Sequence, residues 1–280
     1  MIWAILLFAR VWCMIGRNDI YEVTAHRGAS NVAPENTLAA VEKAIEAGAD
    51  WVEIDVQETA DGEVVVFHDS DFMKLSGVNL KIWDATMADL KGIDIGSWFD
   101  PEFSEERVPT LAEVLDLCRG KIGVNIELKY YGHAEQLERR VVDVVEAHRM
   151  TSEVVLMSLK LAAVRKLKSL RPDWRVGLLM SVSAGDLKQL DVDFFAVNAR
   201  LASRRFVRAA HGMGKAVHVW TVNDASTMST MIGHGVDNLI TDEPKLARSV
   251  IEQRAEMSVP ERLLLEFAEI LGVDPEISGI

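Results

Sequence analysis

Cysteine is almost absent from this chain of 280 residues, which carries only Cys13 and Cys118, far apart. That leaves no disulfide framework and no zinc site built from cysteine alone. Positive charge is also scarce, with 30 Lys and Arg against 43 Asp and Glu, for a net charge of −13. Such a balance argues against nucleic acid as a partner. Any anionic substrate would need positive charge supplied locally, by a metal or by a few placed Arg and Lys side chains. The 7 prolines and 18 glycines are dispersed, which argues against low-complexity linkers. No glycine-rich dinucleotide or phosphate loop follows the first strand-like run, which weakens the case for an open nucleotide-binding sheet.

The apolar opening, "MIWAILLFARVWCMIG", is interrupted by Arg10 and falls short of the roughly 20 residues that a spanning helix needs. It also lacks the basic start and small-x-small cleavage site of a secretory signal. Three readings remain open: a helix packed on the domain, an interfacial anchor, or the end of a longer membrane region. We expect residues 1–20 to be an apolar segment whose first sixteen residues meet a lipid surface, making the chain membrane-associated and otherwise cytoplasmic.

What the sequence does have is rhythm. Runs at Glu22–Ala25, Trp51–Val56, Val64–Phe67, Ile122–Ile126, Val154–Met157, Val176–Leu179, Phe194–Val197, Ala216–Trp220 and Asn238–Ile240 predict strands. Between most of them, Thr37–Ala47, Ala134–His148, Leu161–Leu170, Arg204–His211, Ala225–Ile232 and Pro244–Arg254 carry helical spacing. Alternation of this kind implies parallel pairing with right-handed crossovers. About eight such units predict an α/β chain folded as a (β/α)8 barrel over residues 21–255. One stretch breaks the pattern. Residues 69–110 are irregular and turn-rich, and are expected to form a small insertion after an early strand. Residues 256–280, with "PERLLLEFAEILG", are expected to form a helical extension.

Four clusters of reactive side chains fall at predicted strand ends: His26 with Arg27, Glu53 with Asp55, His68 with Asp69, and Glu127 with Lys129. Residues two apart on a strand share a face, so Glu53 and Asp55 point the same way. If they point into the barrel, their burial is reasonable only beside a hard cation. If they point outward, Ile54 faces inward and both are ordinary solvated groups. Glu127 and Lys129 repeat the arrangement. A third carboxylate from another strand end makes an oxygen-rich site suited to Mg²⁺ or Ca²⁺, where zinc would more often bring His or Cys. His26 and His68 suit an acid–base pair, because imidazole titrates near neutral pH. His133, His148, His211, His218 and His234 lack such a setting at a predicted strand end, and most read as surface or supporting groups. Arg27 and Lys129 suit a phosphate, and an ion pair with a nearby carboxylate is compatible with that role.

The strings "AHRGAS…APENT", "GADWVEIDVQETADGEVVVFHD", "VPTLAEVL", "NIELK", "VHVWTVND" and "LITDEP" occur in this order. Together they resemble the glycerophosphodiester phosphodiesterase family, from about Val23 to Ile251. The resemblance implies a TIM barrel that hydrolyses glycerophosphodiesters to sn-glycerol 3-phosphate and an alcohol. It implies a divalent cation on Glu53, Asp55 and Glu127, with His26 and His68 as the catalytic pair and Arg27 and Lys129 on the phosphate. Glu35 in "PENT" corresponds to a site-supporting acid, Trp220 to a pocket-lining aromatic, and residues 69–110 to the family's inserted domain. One departure stands out: the family often shows Arg-Thr-x-Gly soon after "HD", where this chain reads "MKLSGV". The leaving-group pocket is therefore expected to differ, and a lysophospholipid is the alternative substrate.

Overall fold

In the computed structural model, residues 21–131, 133, 136–181, 187–258, 260–261 and 264 are described. Residues 1–20, expected to form a lipid-facing segment, lie outside them, as do most of residues 256–280.

Eight parallel strands close into a barrel: β1 (Glu22–His26), β2 (Trp51–Glu58), β6 (Gly123–Leu128), β7 (Val154–Ser158), β8 (Val176–Met180), β9 (Phe194–Asn198), β10 (Ala216–Trp220) and β11 (Asn238–Thr241). Closure comes from β1, which pairs with β11 on one side and β2 on the other. Helices α1 (Leu38–Glu46), α4 (Leu111–Cys118), α5 (Leu137–Ala147), α6 (Leu161–Leu170), α7 (Arg204–Gly212), α8 (Ala225–His234) and α9 (Pro244–Glu256) follow strands on the outside. Among the described residues, no helix is long and apolar enough to cross a membrane.

The period of two along each strand separates two cores. On β7, Val154 and Leu156 pack outward with the helices, while Val155 and Met157 face inward with Leu179, Phe194 and Ala196. Burying each such side chain contributes about 1.5–3 kcal/mol. Glycine makes room where the interior is tightest: a Cβ on Gly177 would stand 2.1 Å from the Phe194 ring.

Val64–Phe67 is not a ninth barrel strand. Residues Val64–Val66 form β3, which pairs antiparallel with the end of β2 at Val56↔Val66 and Glu58↔Val64. The reason is length: Thr59 to Glu63 can only make a tight turn, whereas a parallel crossover needs a dozen residues or more. This hairpin has a consequence for chemistry, because it brings the chain back to the barrel mouth just before His68. The segment that follows is more ordered than its turn-rich sequence suggests. It holds β4 (Asp71–Phe72), α2 (Met73–Ser76), β5 (Val78–Lys81) and α3 (Met87–Leu90). Phe67, Phe72, Ile82, Leu90 and Ile95 build a separate apolar cluster beneath it. The chain rejoins the barrel where the Val66 amide donates to Pro109 O at 2.8 Å, and α4 then starts at a Thr110–Glu113 capping box.

Candidate active site

Strand register sets the site. His26 on β1 stands level with Glu53 on β2, and Asp55 on β2 stands level with Glu127 on β6. Glu53, Asp55 and Glu127 all point inward and are buried. Each offers an oxygen within 4.8 Å of the others. The outward-facing alternative is excluded, since Ile54 packs with the outer core.

The loop after β1 explains the string "HRGASNVAPENT". Arg27 has a positive φ of 57°, and Gly28 follows at 86°, where a Cβ would collide with Ala40 at 2.5 Å. This bend lets the Arg27 amide donate to Glu53 Oε2 at 3.0 Å. Its guanidinium reaches Glu35 at 2.9 Å and Asp55 at 3.2 Å. Asn36, also at positive φ, donates to Asp55 Oδ2 at 2.9 Å and accepts from the Asp55 amide at 3.1 Å. Thr37 caps α1. Each residue of "ENT" thus holds a different part of the site or of the helix beside it. On the other side, Lys129 Nζ sits 3.0 Å from Glu127 and 3.3 Å from Asp55.

The electrostatics of the three carboxylates diverge. Burial alone would push Asp55 up, but Lys129, Arg27, His68 and the Asn36 hydrogen bond outweigh it and hold it down to about 2. Burial, with the Asp55 charge, pushes Glu127 up to about 7. Glu53 is raised well above the usual carboxylate range by burial and by both neighbouring carboxylates. Its Oε1 has no hydrogen-bond partner. Arg27 and Lys129 therefore do not satisfy the cluster. Hard oxygen donors, an orphaned carboxylate oxygen and a shortage of positive charge fit a divalent cation held by these three residues. Their mutual spacing lies within twice the 2.3–2.6 Å bonds of Ca²⁺.

The two histidines are held in the same way. His26 Nδ1 lies 2.6 Å from Asp242 Oδ1, and Asp242 also accepts from Ser30 at 3.0 Å and from Asn223 at 2.6 Å. Although burial opposes it, these hydrogen bonds keep the Asp242 carboxyl below its ordinary range. His68 Nδ1 lies 2.7 Å from Asp69 Oδ1, and burial lowers the His68 pKa. Gln57, buried on β2, donates to the carbonyls of Phe67 and Asp69 at 2.8 and 2.7 Å, and Tyr131 donates to His68 O at 2.6 Å. With Nδ1 engaged, each imidazole keeps Nε2 for other work.

Six of the nine sequence-selected residues, Arg27, Glu35, Glu53, Asp55, Glu127 and Lys129, thus form one connected group. His26 and His68 stand at or just beyond strand ends at the same mouth, each held by its own carboxylate. Trp220 also ends its strand at the mouth, packed on the interior cluster, but its Nε1 has no hydrogen-bond partner. Sequence reasoning missed Asn36, Gln57, Tyr131, Asn223 and Asp242 as parts of the site. Asn36 and Asp242 lie inside the quoted "PENT" and "TDEP" strings, which was the available signal. His218 is not a surface group: it stacks on Phe194 inside the barrel, with ring centroids 4.1 Å apart.

A parallel (β/α)8 barrel with carboxylates, imidazoles and cationic side chains gathered at the C-terminal ends of its strands has the layout of a barrel enzyme. The comparisons with known proteins place it further. The model of the glycerophosphoryl diester phosphodiesterase family matches residues 26–246. A glycerophosphodiester phosphodiesterase of Caldanaerobacter subterraneus is 32% identical over 241 residues, covering 82% of this chain and 98% of that one. The structure of an Oleispira antarctica phosphodiesterase in complex with the product sn-glycerol-3-phosphate superposes with a TM-score of 0.79 at 31% identity, covering 82% and 96% of the two chains. The glycerophosphodiester phosphodiesterase of Agrobacterium tumefaciens gives 0.73 at 27% identity, covering 82% and 100%. The chain belongs to the glycerophosphoryl diester phosphodiesterase family and is an enzyme of that class.

Proposed function

We propose that the chain hydrolyses glycerophosphodiesters to sn-glycerol 3-phosphate and an alcohol, using His26 and His68 beside a divalent cation on Glu53, Asp55 and Glu127. The observation that carries this reading is the buried carboxylate triad flanked by two imidazoles whose Nδ1 atoms are each tied to a carboxylate. When bound, Mg²⁺ or Ca²⁺ would neutralise charge on the non-bridging phosphate oxygens. Arg27 offers a planar fork and Lys129 a point charge to the same phosphate. One histidine accepts the proton of the glycerol 2-hydroxyl through Nε2 as that oxygen bonds to phosphorus. The other donates a proton to the departing alcohol oxygen as its bond to phosphorus breaks. Water then opens the cyclic phosphate, with the two roles exchanged. Asp242 and Asp69 keep each ring in the tautomer that this exchange needs. Glu35 holds Arg27 in place, and Trp220 lines the mouth.

A lysophospholipase D activity is the second reading. The "MKLSGV" departure and the apolar sequence of residues 1–16, which would bring the chain to a membrane, favour it. The test is a panel of glycerophosphocholine, glycerophosphoethanolamine and lysophosphatidylcholine, assayed after chelation with Mg²⁺ or Ca²⁺ restored. Release of sn-glycerol 3-phosphate that requires added cation supports the first reading. Choline release from lysophosphatidylcholine alone would replace it with the second, and full activity in chelator would remove the cation from the mechanism.

A further inference from the structure

The two imidazoles of the site are carried in different ways. His26 ends β1, a strand paired on both sides, with β11 and with β2. His68 lies two residues beyond β3, outside any strand. Its ring partner, Asp69, is the next residue along the same segment. That hydrogen bond fixes the ring against its own backbone and leaves the pair free to move as a unit against the carboxylate triad. A second device has to hold this segment over the mouth.

Gln57 is placed to do so. It stands on β2 two residues after Asp55 and four after Glu53, so the three side chains share the inward face. The Phe67 amide still donates to Asp55 O at 2.9 Å, as a ladder residue would. From there three successive carbonyls converge on one atom. Gln57 Nε2 lies 2.8 Å from Phe67 O, 3.3 Å from His68 O and 2.7 Å from Asp69 O. Successive carbonyls of an extended strand point to opposite sides, so the segment is bent around the amide. A primary amide has two N–H donors. They serve the two nearer carbonyls, and the Tyr131 hydroxyl donates to the third, His68 O, at 2.6 Å. Three donor hydrogens thus match three carbonyls. Gln57 is only 4% exposed, which leaves water little room to replace it. His68 is therefore tied to both strands that carry the triad: to β2 through Gln57, and to the end of β6 through Tyr131.

From this geometry we infer that Gln57 is a positioning residue for the hydrolysis, setting His68 in place over the cation site, with Tyr131 as the second anchor. The inference rests on the reading of His68 as a proton-transfer group. Gln57 acts through backbone carbonyls and not on the substrate, so its effect passes through His68. Proton transfer needs the imidazole within hydrogen-bond reach of a reacting oxygen, and a misplacement of about 1 Å can cost about 10²-fold in rate. Leucine at position 57 keeps a side chain of similar size and removes both donors. The carbonyls then lack partners in a buried place, and the segment relieves this by turning them towards water, which moves His68.

The test measures kcat and KM for glycerophosphocholine, Mn²⁺ affinity and Tm in Gln57→Leu and Tyr131→Phe, each alone and combined with His68→Ala. Gln57→Leu should lower kcat about 10²-fold, with KM and Mn²⁺ affinity within about threefold of wild type. Tyr131→Phe removes one hydroxyl from a ring that is 40% exposed, so it decides the matter even if Gln57→Leu does not fold. It should lower kcat about fivefold. In the His68→Ala background neither change should add more than about twofold, because the group they position is gone. Three results would overturn the inference: kcat within about twofold of wild type in both variants, weakened Mn²⁺ binding as the main effect, or equal losses with and without His68. The second would assign Gln57 to the cation site, and the third would mean general damage to the barrel. His68→Ala that keeps more than a tenth of wild-type activity is a separate result, which would strike the proton-transfer reading itself and the inference with it.

Discussion

His218 gives a stability prediction whose size follows from its surroundings. Its ring is buried against Phe194, and Nδ1 has no hydrogen-bond partner. Burial, reinforced by the Arg175 charge, pushes its pKa from 6.5 down to about 3. An unfolded chain exposes the same imidazole at its ordinary value. Between those two pH values the unfolded state therefore binds a proton that the folded state does not. The stability linked to this group is complete above about pH 6.5 and drains away as pH falls towards 3. The loss is about 2 kcal/mol at pH 5 and about 3 kcal/mol at pH 4. For a chain of this size, 2 kcal/mol corresponds to roughly 4–8 °C in Tm. The assay is calorimetric melting from about pH 7.5 to 4.5 in chelator, for wild type and His218→Gln. Asp55 and Asp242, both held low, also destabilise the fold in acid, but they do so in both proteins. The difference between the two curves isolates His218, and wild type should lose the additional 4–8 °C. Parallel curves would refute the reasoning, because they would mean that the buried ring gains a proton with no penalty.

His26→Ala and His68→Ala should each lower turnover by roughly 10²–10⁴-fold with little change in Tm; more than a tenth of wild-type activity in either removes that residue from proton transfer. Asp242→Asn should lower kcat by about 10²-fold with KM nearly unchanged, because an amide facing Nδ1 favours the wrong tautomer of His26. A KM effect alone would make Asp242 a binding group instead. Deleting residues 1–16 should leave hydrolysis of a soluble glycerophosphodiester intact and reduce vesicle binding. Loss of soluble activity with unchanged vesicle binding would make the segment part of the folded barrel.

Much of the barrel could be read from residue patterns, since period-two and period-3.6 runs alternate along most of the chain. β10 occurs as expected at Ala216–Trp220 and α6 at Leu161–Leu170. Val64–Phe67 misled because hydrophobicity alone does not report strand direction, whereas the five-residue turn before it does. The small apolar cluster under α2 and β5 was hidden by turn-forming residues. Its members Phe72, Ile82, Leu90 and Ile95 are spread too thinly to give a period. At the site, side chains near one another in sequence were legible: Glu53 with Asp55, and Glu127 with Lys129. Partners joined only by barrel closure were not. Asp242 meets His26 across 216 residues, because β11 closes on β1. His218 sits in a strand whose inward positions would usually be apolar. Its burial follows from strand phase relative to Trp220, two residues further on.

The central claim is that Glu53, Asp55 and Glu127 hold one cation that phosphodiester cleavage requires. Its most direct measurement is isothermal titration of the chelator-stripped chain with Mn²⁺, for wild type and for Glu53→Gln, Asp55→Asn and Glu127→Gln. Glycerophosphocholine hydrolysis is followed on the same samples. The account predicts a single site in wild type whose occupancy restores activity, and loss of both binding and activity in all three variants. Unaltered Mn²⁺ binding in any variant, or activity that does not track occupancy, would contradict it.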